Sequence, residues 1–302
     1  MPSAVWAEEI PINLNQEGLS KYISDSPEGT LKLKAGNYIL TSDITISKTL
    51  EINGTVTLDL NGYVLKYENA DKKGSVIKMC DDGNLTLQDS KPKESHYFDK
   101  STDVWTLATE STTKSNKVEV KGGVITGGTG NADYGEGGGL WIGGNGSLYL
   151  LGGSIVGCTA TNKGGGVYMD GNSFTLNGGK IIGCTAGNGG GVYFKNKSFD
   201  IKNGEISNCH ATNGGGIYIS NDTGTNDSKI INMSNSSISD CSADSGGGIY
   251  IEAYTFKMPN SSITNCKATS YGGAICCEMA VGYDKYNKAC TVEIAENATI
   301  SN

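Results

Sequence analysis

The sequence predicts an all-β fold, a right-handed single-stranded parallel β-helix (β-solenoid) with three short strands per coil of about 25 residues. The first observation is a Gly-Gly-Gly-(Val/Ile)-Tyr segment that recurs every 25 residues and then after 32. Its copies are 164–168, 189–193, 214–218 and 246–250, with degenerate copies at 137–141 and 272–276. The second is an Ile-x-x-Cys-x-Ala element that moves in step with the first in five copies. The third is composition, because 44 glycines beside five phenylalanines are unusual for an ordinary globular domain.

Side-chain alternation assigns the strands within one coil. Val167 and Met169 alternate with Tyr168, Phe174 and Leu176 flank a threonine, and further on Ile181 opens a third run. We therefore expect Val, Met, Phe, Leu, Ile, Cys and Ala to point inward. Ordering a lone coil costs more free energy than its few buried side chains return, so the coils must stack.

One corner of the coil is predicted to have a left-handed backbone. The residue before each repeated cysteine is of a type that tolerates this conformation. These residues are Gly157, Gly183, Asn208, Asp240 and Asn265.

The repeated cysteines are predicted to stack inward as small apolar side chains. They are Cys158, Cys184, Cys209, Cys241 and Cys266. Metal binding and disulfides are the alternatives, but zinc takes ligands from converging directions rather than from one row. The better disulfide candidates are Cys276, Cys277 and Cys290, close to the degenerate last repeat.

An aromatic side chain in each repeat alternates with inward neighbours and is predicted to form an exposed stripe. The stripe consists of Trp141, Tyr168, Tyr193, Tyr218 and Tyr250. Mutual stacking is one interpretation. The other is a binding platform for sugars or for a partner protein, since contiguous exposed aromatic surface tends to mark binding.

The chain divides into three parts. Residues 1–7 resemble a signal-peptide remnant, with cleavage after Ala7. Residues 8–30 are predicted to form an N-terminal cap, including a short helix within 12–28. Residues 31–302 are predicted to form the β-helix, with irregular coils over 31–121, a polar loop-like insertion at about 90–116 outside the wall, and regular repeats over 122–302. The pattern stops in mid-coil, so we expect a fragment of a longer protein.

Charge and hydropathy exclude two classes of partner. All 24 basic residues are lysine and the net charge is −8, which argues against nucleic-acid binding. We also expect no direct membrane insertion in this segment, because no apolar run approaches roughly 20 residues. The expected localisation is extracellular.

No catalytic, cofactor-binding or metal-binding residue is predicted. Asp81 and Asp82 form an acidic pair, for which we expect an exposed turn. His96 falls in the insertion and His210 at a repeat position that varies between copies, so both are predicted to be solvated. Glycoside hydrolysis needs two carboxylates on neighbouring coils, and the alignment of the repeats forces no such pair together.

The repeats resemble those of the pectate-lyase-like superfamily of right-handed β-helices. More narrowly, they are similar to Gly-rich adhesin-like surface proteins of gut Firmicutes and to the repeats of chlamydial polymorphic outer membrane proteins. The segment Gly272-Gly273-Ala274-Ile275 matches the Gly-Gly-Ala-Ile repeat of the latter, while Ile206-Ser207-Asn208 only approximates their Phe-x-x-Asn repeat. Residues 57–62 look like the opening coils of many such secreted proteins.

Families with this fold include adhesins, passengers, lyases and hydrolases, so the resemblance alone does not choose among these functions. Because catalytic chemistry is missing and an aromatic stripe is predicted, we expect a non-enzymatic extracellular surface or adhesin-like segment that binds glycans or host and cell-surface proteins. The alternative is a polysaccharide lyase or glycoside hydrolase with a non-standard acidic site. Pectate lyases use an arginine base, and this chain has no arginine. An ice-binding solenoid is a weaker option, because flat threonine rows are missing.

Overall fold

The structure, a computed structural model, describes residues 10–27, 29–131, 133–195, 198–220, 230–252, 255–278, 290–295 and 297–301. The expected signal-peptide remnant lies outside these residues. The described chain is an all-β parallel β-helix with three long sheets of ten, ten and nine strands, which confirms the predicted fold class. A right-handed winding is the norm for parallel crossover connections.

From Leu31 onward each coil contributes one strand to each long sheet, in the order sheet 2, sheet 1, sheet 3, while Ile23–Asp25 pairs antiparallel with Leu31–Leu33 at the start of sheet 2. Sheet 1 contains Ile12–Leu14, Gly36–Leu40, Thr55–Asp59, Asn84–Gln88, Ser147–Leu150, Ser173–Asn177, Ser198–Lys202, Ile230–Ser234, Thr255–Met258 and Thr291–Ile294. Sheet 2 contains Ile23–Asp25, Leu31–Leu33, Leu50–Ile52, Ile77–Met79, Leu140–Ile142, Val167–Met169, Val192–Lys195, Ile217–Ser220, Ile249–Glu252 and Ile275–Glu278. Sheet 3 contains Ile44–Ile46, Val64–Tyr67, Val124–Thr126, Ser154–Val156, Lys180–Ile182, Glu205–Ser207, Ser237–Ser239, Ser262–Thr264 and Thr299–Ser301.

The repeats stack in the register that the sequence predicts. Val167 pairs with Val192, Phe174 with Phe199, and further rows of isoleucine fill sheet 3. The rings of Phe174 and Phe199 stack with centroids 4.8 Å apart. These inward residues form one continuous buried core along the axis. Burying each such side chain contributes about 1.5–3 kcal/mol, which is why stability grows with coil number.

The predicted left-handed corner is confirmed in all five copies. The φ angles are 62° and 60° for the glycines and 53–55° for the others, at Gly157, Gly183, Asn208, Asp240 and Asn265.

A fourth sheet follows this corner, so the prediction of three strands per coil is incomplete. Sheet 4 contains Thr185–Asn188, His210–Asn213, Ser242–Ser245 and Lys267–Tyr271. Beyond the corner, Cys184 and Ala186 are both buried and are separated by one residue. The inward and outward alternation of a β-strand therefore continues past the corner, and a further strand forms.

The N-terminal helix prediction is wrong. Residues Ile12–Leu14 form the first strand of sheet 1 and pair with Gly36–Leu40, and the only helical element of the described residues is a 3-10 turn at Leu19–Lys21. Ile12 and Leu14 flank a polar residue, and Leu14 is buried against the core. Two-residue alternation therefore governs this segment from its first strand.

The insertion predicted at about 90–116 is a folded unit with its own sheet rather than a polar loop, and it extends to Lys121. We call residues 95–121 the flap. It contains the antiparallel strands Ser95–Asp99, Thr106–Leu107 and Lys117–Lys121. Its Phe98 and Trp105 pack on outward-facing Val156 and Ile182 of sheet 3 to form a second core.

The base of the flap is fixed by one carboxylate. Asp89 Oδ1 accepts a hydrogen bond from the N–H of Gly62 at 2.7 Å, and its Oδ2 accepts one from Gly123 at 2.9 Å. Asp89 thereby ties the chain entering the flap to the chain leaving it. Among the residues described, no helix is both long and apolar enough to cross a membrane.

Candidate ligand-binding cleft

The predicted aromatic stripe exists as a stack, but it is not exposed. Neighbouring rings from Trp141 to Tyr250 lie 4.9–5.9 Å apart with interplanar angles of 7–14°. The four tyrosines are only 3–8% exposed and form a separate buried cluster. The prediction of exposure is therefore wrong, while mutual stacking is confirmed.

Ring stacking itself explains the burial. Each inner tyrosine is covered on both faces by the rings of adjacent coils, and Lys163 Nζ also lies 5.1 Å from the centroid of Tyr193. Burial raises the pKa of the Tyr168 and Tyr218 hydroxyls above its usual range. Tyr218 donates its hydroxyl hydrogen to Glu252. A sugar ring has no free aromatic face to stack on in this row.

The cysteine row is part of the core, as predicted. All five side chains are at most 1% exposed and none of the five forms a disulfide. Burial raises the pKa of the Cys184, Cys209 and Cys241 thiols well above the usual value. The side chains of the row are inaccessible to solvent in the folded protein.

A disulfide links Cys277 to Cys290, two of the three cysteines that the sequence favours for one. Cys276, the third, is half-buried and free, and it continues the tyrosine row in register with Tyr250.

The other polar candidates are distributed around the solenoid. Asp81 and Asp82 are exposed, as predicted. His210 is exposed and its Nδ1 lies 2.9 Å from Ser242 Oγ. The prediction of a solvated His96 is wrong, because this side chain is half-buried and its Nε2 lies 2.7 Å from the carbonyl oxygen of Gly62. His96 thus helps to seat the flap.

The flap encloses a cleft against sheet 3 with a volume of about 500 Å³. Val104, Trp105 and Leu107 line it from the flap, and Gly127, Gly128 and Thr159 line it from the coil wall. We call this space the flap cleft. Its volume lies within the range of about 300–1,000 Å³ that is usual for ligand sites.

The flap is held on the wall by close backbone approach. A Cβ atom added to Gly157 would lie 1.9 Å from the carbonyl oxygen of Trp105. Thr185 Oγ1 donates a hydrogen bond to the carbonyl oxygen of Asp103 at 2.9 Å. Trp105 itself is only 6% exposed, so most of its side chain packs on the wall and holds the flap in place.

The opposite side of the cleft is a hydrogen-bonded loop, which we call the lip (residues 68–74). Tyr67 donates its hydroxyl hydrogen to the carbonyl oxygen of Lys72 at 3.0 Å. Asn69 Oδ1 accepts hydrogen bonds from the N–H groups of Asp71 and Lys72, and its Nδ2 donates to the carbonyl oxygen of Ser47. The side chains at this loop are therefore presented from a fixed backbone.

The flap cleft continues into a second basin of about 490 Å³. Asn69, Ala70, Thr129 and Thr159 line both spaces and form the neck between them. Thr129 also ties the wall to the lip, since its Oγ1 accepts the N–H of Gly74 at 3.1 Å. Apolar surface thus lies in the cleft, hydroxyl and amide groups at the neck, and charged side chains in the basin.

Comparison of this chain with protein-family models, curated proteins and solved structures finds no match. In the parts of the chain that the structure describes, no three His, Cys, Asp or Glu side chains are grouped as metal ligands would be.

Sequence reasoning missed the flap cleft, although one signal pointed to it. The left-handed corner holds glycine in two coils and a larger residue in the next three. Gly157 and Gly183 are the two copies that contact Trp105. The change from glycine to Asn or Asp therefore marks where the flap ends.

Proposed function

We propose that this chain is a non-enzymatic, extracellular, adhesin-like β-helix that binds glycans in the flap cleft. The observation that carries the proposal is the cleft itself, which the flap forms where it folds back over an otherwise repetitive wall. In this account the coils are a rigid support and the flap provides specificity. Binding residues are commonly carried in this way by loops on rigid scaffolds.

The chemistry of the cleft suits a sugar. A pyranose ring presents C–H groups on its faces and hydroxyl groups around its edge. Val104 and Leu107 supply apolar surface, while Thr129, Thr159 and Asn69 supply hydrogen-bonding groups at the neck. Pockets that are mostly apolar with a few convergent polar groups are typical of ligand sites.

The fixed lip favours binding further. Tyr67 and Asn69 hold its backbone through hydrogen bonds, so little conformational entropy is lost when a ligand binds. A preorganised site of this kind favours recognition of small ligands.

Two observations support the remaining parts of the proposal. The Cys277–Cys290 disulfide fits an oxidising, extracellular environment. Glu68, the carboxylate that lines the cleft, forms an ion pair with Lys66 at 2.7 Å, so this carboxylate already has a cationic partner.

The test is a glycan array probed with the purified protein and two matched variants. Ala70→Trp fills the neck from an exposed position, and Ala35→Trp adds the same side chain at an exposed position away from the cleft. We expect wild type and Ala35→Trp to bind the same glycans and Ala70→Trp to lose at least tenfold in affinity.

Equal binding by both variants, or no glycan binding by wild type, would refute the proposal. Release of shortened products from a bound polysaccharide would instead support the lyase or hydrolase alternative.

A further inference from the structure

The second basin differs in charge from the protein as a whole. The chain carries a net charge of −8, yet Lys72 and Lys73 both line this basin, and Lys66 lines the adjoining cleft. The carboxylates that line the two spaces are Glu68 and Asp71. The site is therefore locally cationic on an anionic protein.

The three lysines differ in the partners that their ammonium groups already have. Lys66 Nζ pairs with Glu68 Oε1 at 2.7 Å, and Lys73 Nζ donates a hydrogen bond to Thr161 Oγ1 at 3.0 Å. Within the described residues, Lys72 forms no ion pair, while its backbone is held by Tyr67 and Asn69. Lys72 is thus an exposed ammonium on a fixed loop beside the neck.

We infer that the flap cleft recognises an acidic sugar, a monosaccharide unit that carries a carboxylate. This inference rests on the proposed function, since it names the class of glycan for the same site. The carboxylate lies in the basin toward Lys72 and Lys73, and the sugar ring or an apolar substituent lies against Val104 and Leu107.

The apolar cleft beside the lysines favours an acidic sugar over two simpler kinds of ligand. A small inorganic anion would use the lysines but not the apolar wall of the cleft. A neutral sugar would use the wall and the neck but form no ion pair with Lys72. A ligand that is apolar on one side and anionic on the other contacts both, and the neck at Ala70 and Thr129 joins the two contacts.

The experiment uses two pairs of sugars, each made of an acid and a neutral counterpart that lacks the free carboxylate. The first pair is methyl glucuronoside and methyl glucoside, and the second is the methyl glycoside of N-acetylneuraminic acid and its carboxyl methyl ester. Affinities are measured by NMR titration of wild type, the double variant Lys72→Glu/Lys73→Glu, and Lys267→Glu, an exposed lysine in sheet 4. Circular dichroism checks that each variant is folded.

We expect at least one acid to bind wild type more tightly than its neutral partner, by roughly two- to fivefold for each lysine engaged. The preference should weaken as salt is raised, because exposed charge interactions are screened. Lys72→Glu/Lys73→Glu should abolish or reverse the preference, and Lys267→Glu should keep it.

Two results overturn the inference while leaving the proposed function intact. One is equal binding of acid and neutral sugar, with both lost in Ala70→Trp. The other is an acid preference that survives in Lys72→Glu/Lys73→Glu. Failure of every glycan to bind wild type refutes the proposed function, and the inference with it.

Discussion

The indole of Trp105 lies on the backbone of Gly183. A Cβ atom added to Gly183 would come within 2.5 Å of both Cγ and Cδ2 of Trp105, and the φ angle of this glycine is 60°. The equivalent corner in the next coil is Asn208, with a φ angle of 54°. Both corners need a left-handed backbone, but only the first also needs a residue without a side chain.

Gly183→Ala and Asn208→Ala form a matched pair that separates these two requirements. Each places an alanine in the left-handed region, which costs about 1–2 kcal/mol. Gly183→Ala should lose a further 1–3 kcal/mol or so because the new methyl group displaces Trp105. We expect a lower thermal midpoint for Gly183→Ala and faster protease cleavage within residues 100–104 of the flap. Equal midpoints and equal cleavage would show that the flap does not rest on Gly183.

Tyr193→Ser tests whether the aromatic row is structural. Tyr193 is 3% exposed and stacks between two other tyrosines, so its removal should destabilise the protein by about 3–5 kcal/mol. Tyr149, which is 41% exposed on sheet 1, provides the control, and Tyr149→Ser should change stability by less than about 0.5 kcal/mol. Denaturant unfolding measures both. A Tyr193→Ser variant as stable as Tyr149→Ser would contradict the stacked, buried arrangement.

Particular residues show how far the sequence determines the fold and the site. The spacing of Val167, Phe174 and Ile181 was enough to predict the strands and the core, because an inward or outward direction follows from alternation alone. Whether the outward-facing Tyr193 is exposed or buried could not be predicted in this way. It depends on what lies above and below the ring, which alternation does not specify.

The flap was missed for a related reason. Phe98 and Trp105 stand among polar residues without regular alternation, and the one flap strand that alternates, Lys117–Lys121, does not reveal which strand it pairs with. The partners of the two aromatic side chains, Val156 and Ile182, are outward-facing residues of distant coils. Only a contact between parts of the chain far apart in sequence makes the flap fold, and a local pattern does not contain that information.

Buried thiols and hydroxyls predict a loss of stability at high pH. Burial raises the pKa of Cys184, Cys209 and Cys241, and also that of the Tyr168 and Tyr218 hydroxyls. Because the folded pKa values are raised, this stability is fully present below the unfolded values, about 8.5 for cysteine and 10 for tyrosine. It decreases as pH rises above them, by up to about 1.4 kcal/mol per pH unit for each group.

We therefore expect the denaturant midpoint of unfolding to decrease as pH is raised from about 8 to about 11. The decrease should be less steep when Cys184, Cys209 and Cys241 are all replaced by alanine. Identical slopes for this variant and wild type would contradict the assignment of the thiols to the core.

Cysteine labelling gives a direct count of accessible thiols. Alkylation of the native protein should modify at most Cys80 and Cys276, which are half-buried. The five core cysteines should react only after denaturation, and Cys277 and Cys290 only after reduction. Mass spectrometry of the alkylated peptides measures each step. Rapid native labelling of Cys209 would show that the core is open.

The central claim is that ligands bind beneath the flap, and hydrogen–deuterium exchange with and without a glycan identified on the array tests it most directly. Saturating glycan should slow exchange in the lip (residues 68–74), at 104–107 and at 126–129, while amides of sheets 1 and 2 in the later coils remain unchanged. Slowed exchange along the tyrosine row or on the open face of sheet 1, with the lip and the flap unaffected, would contradict the claim.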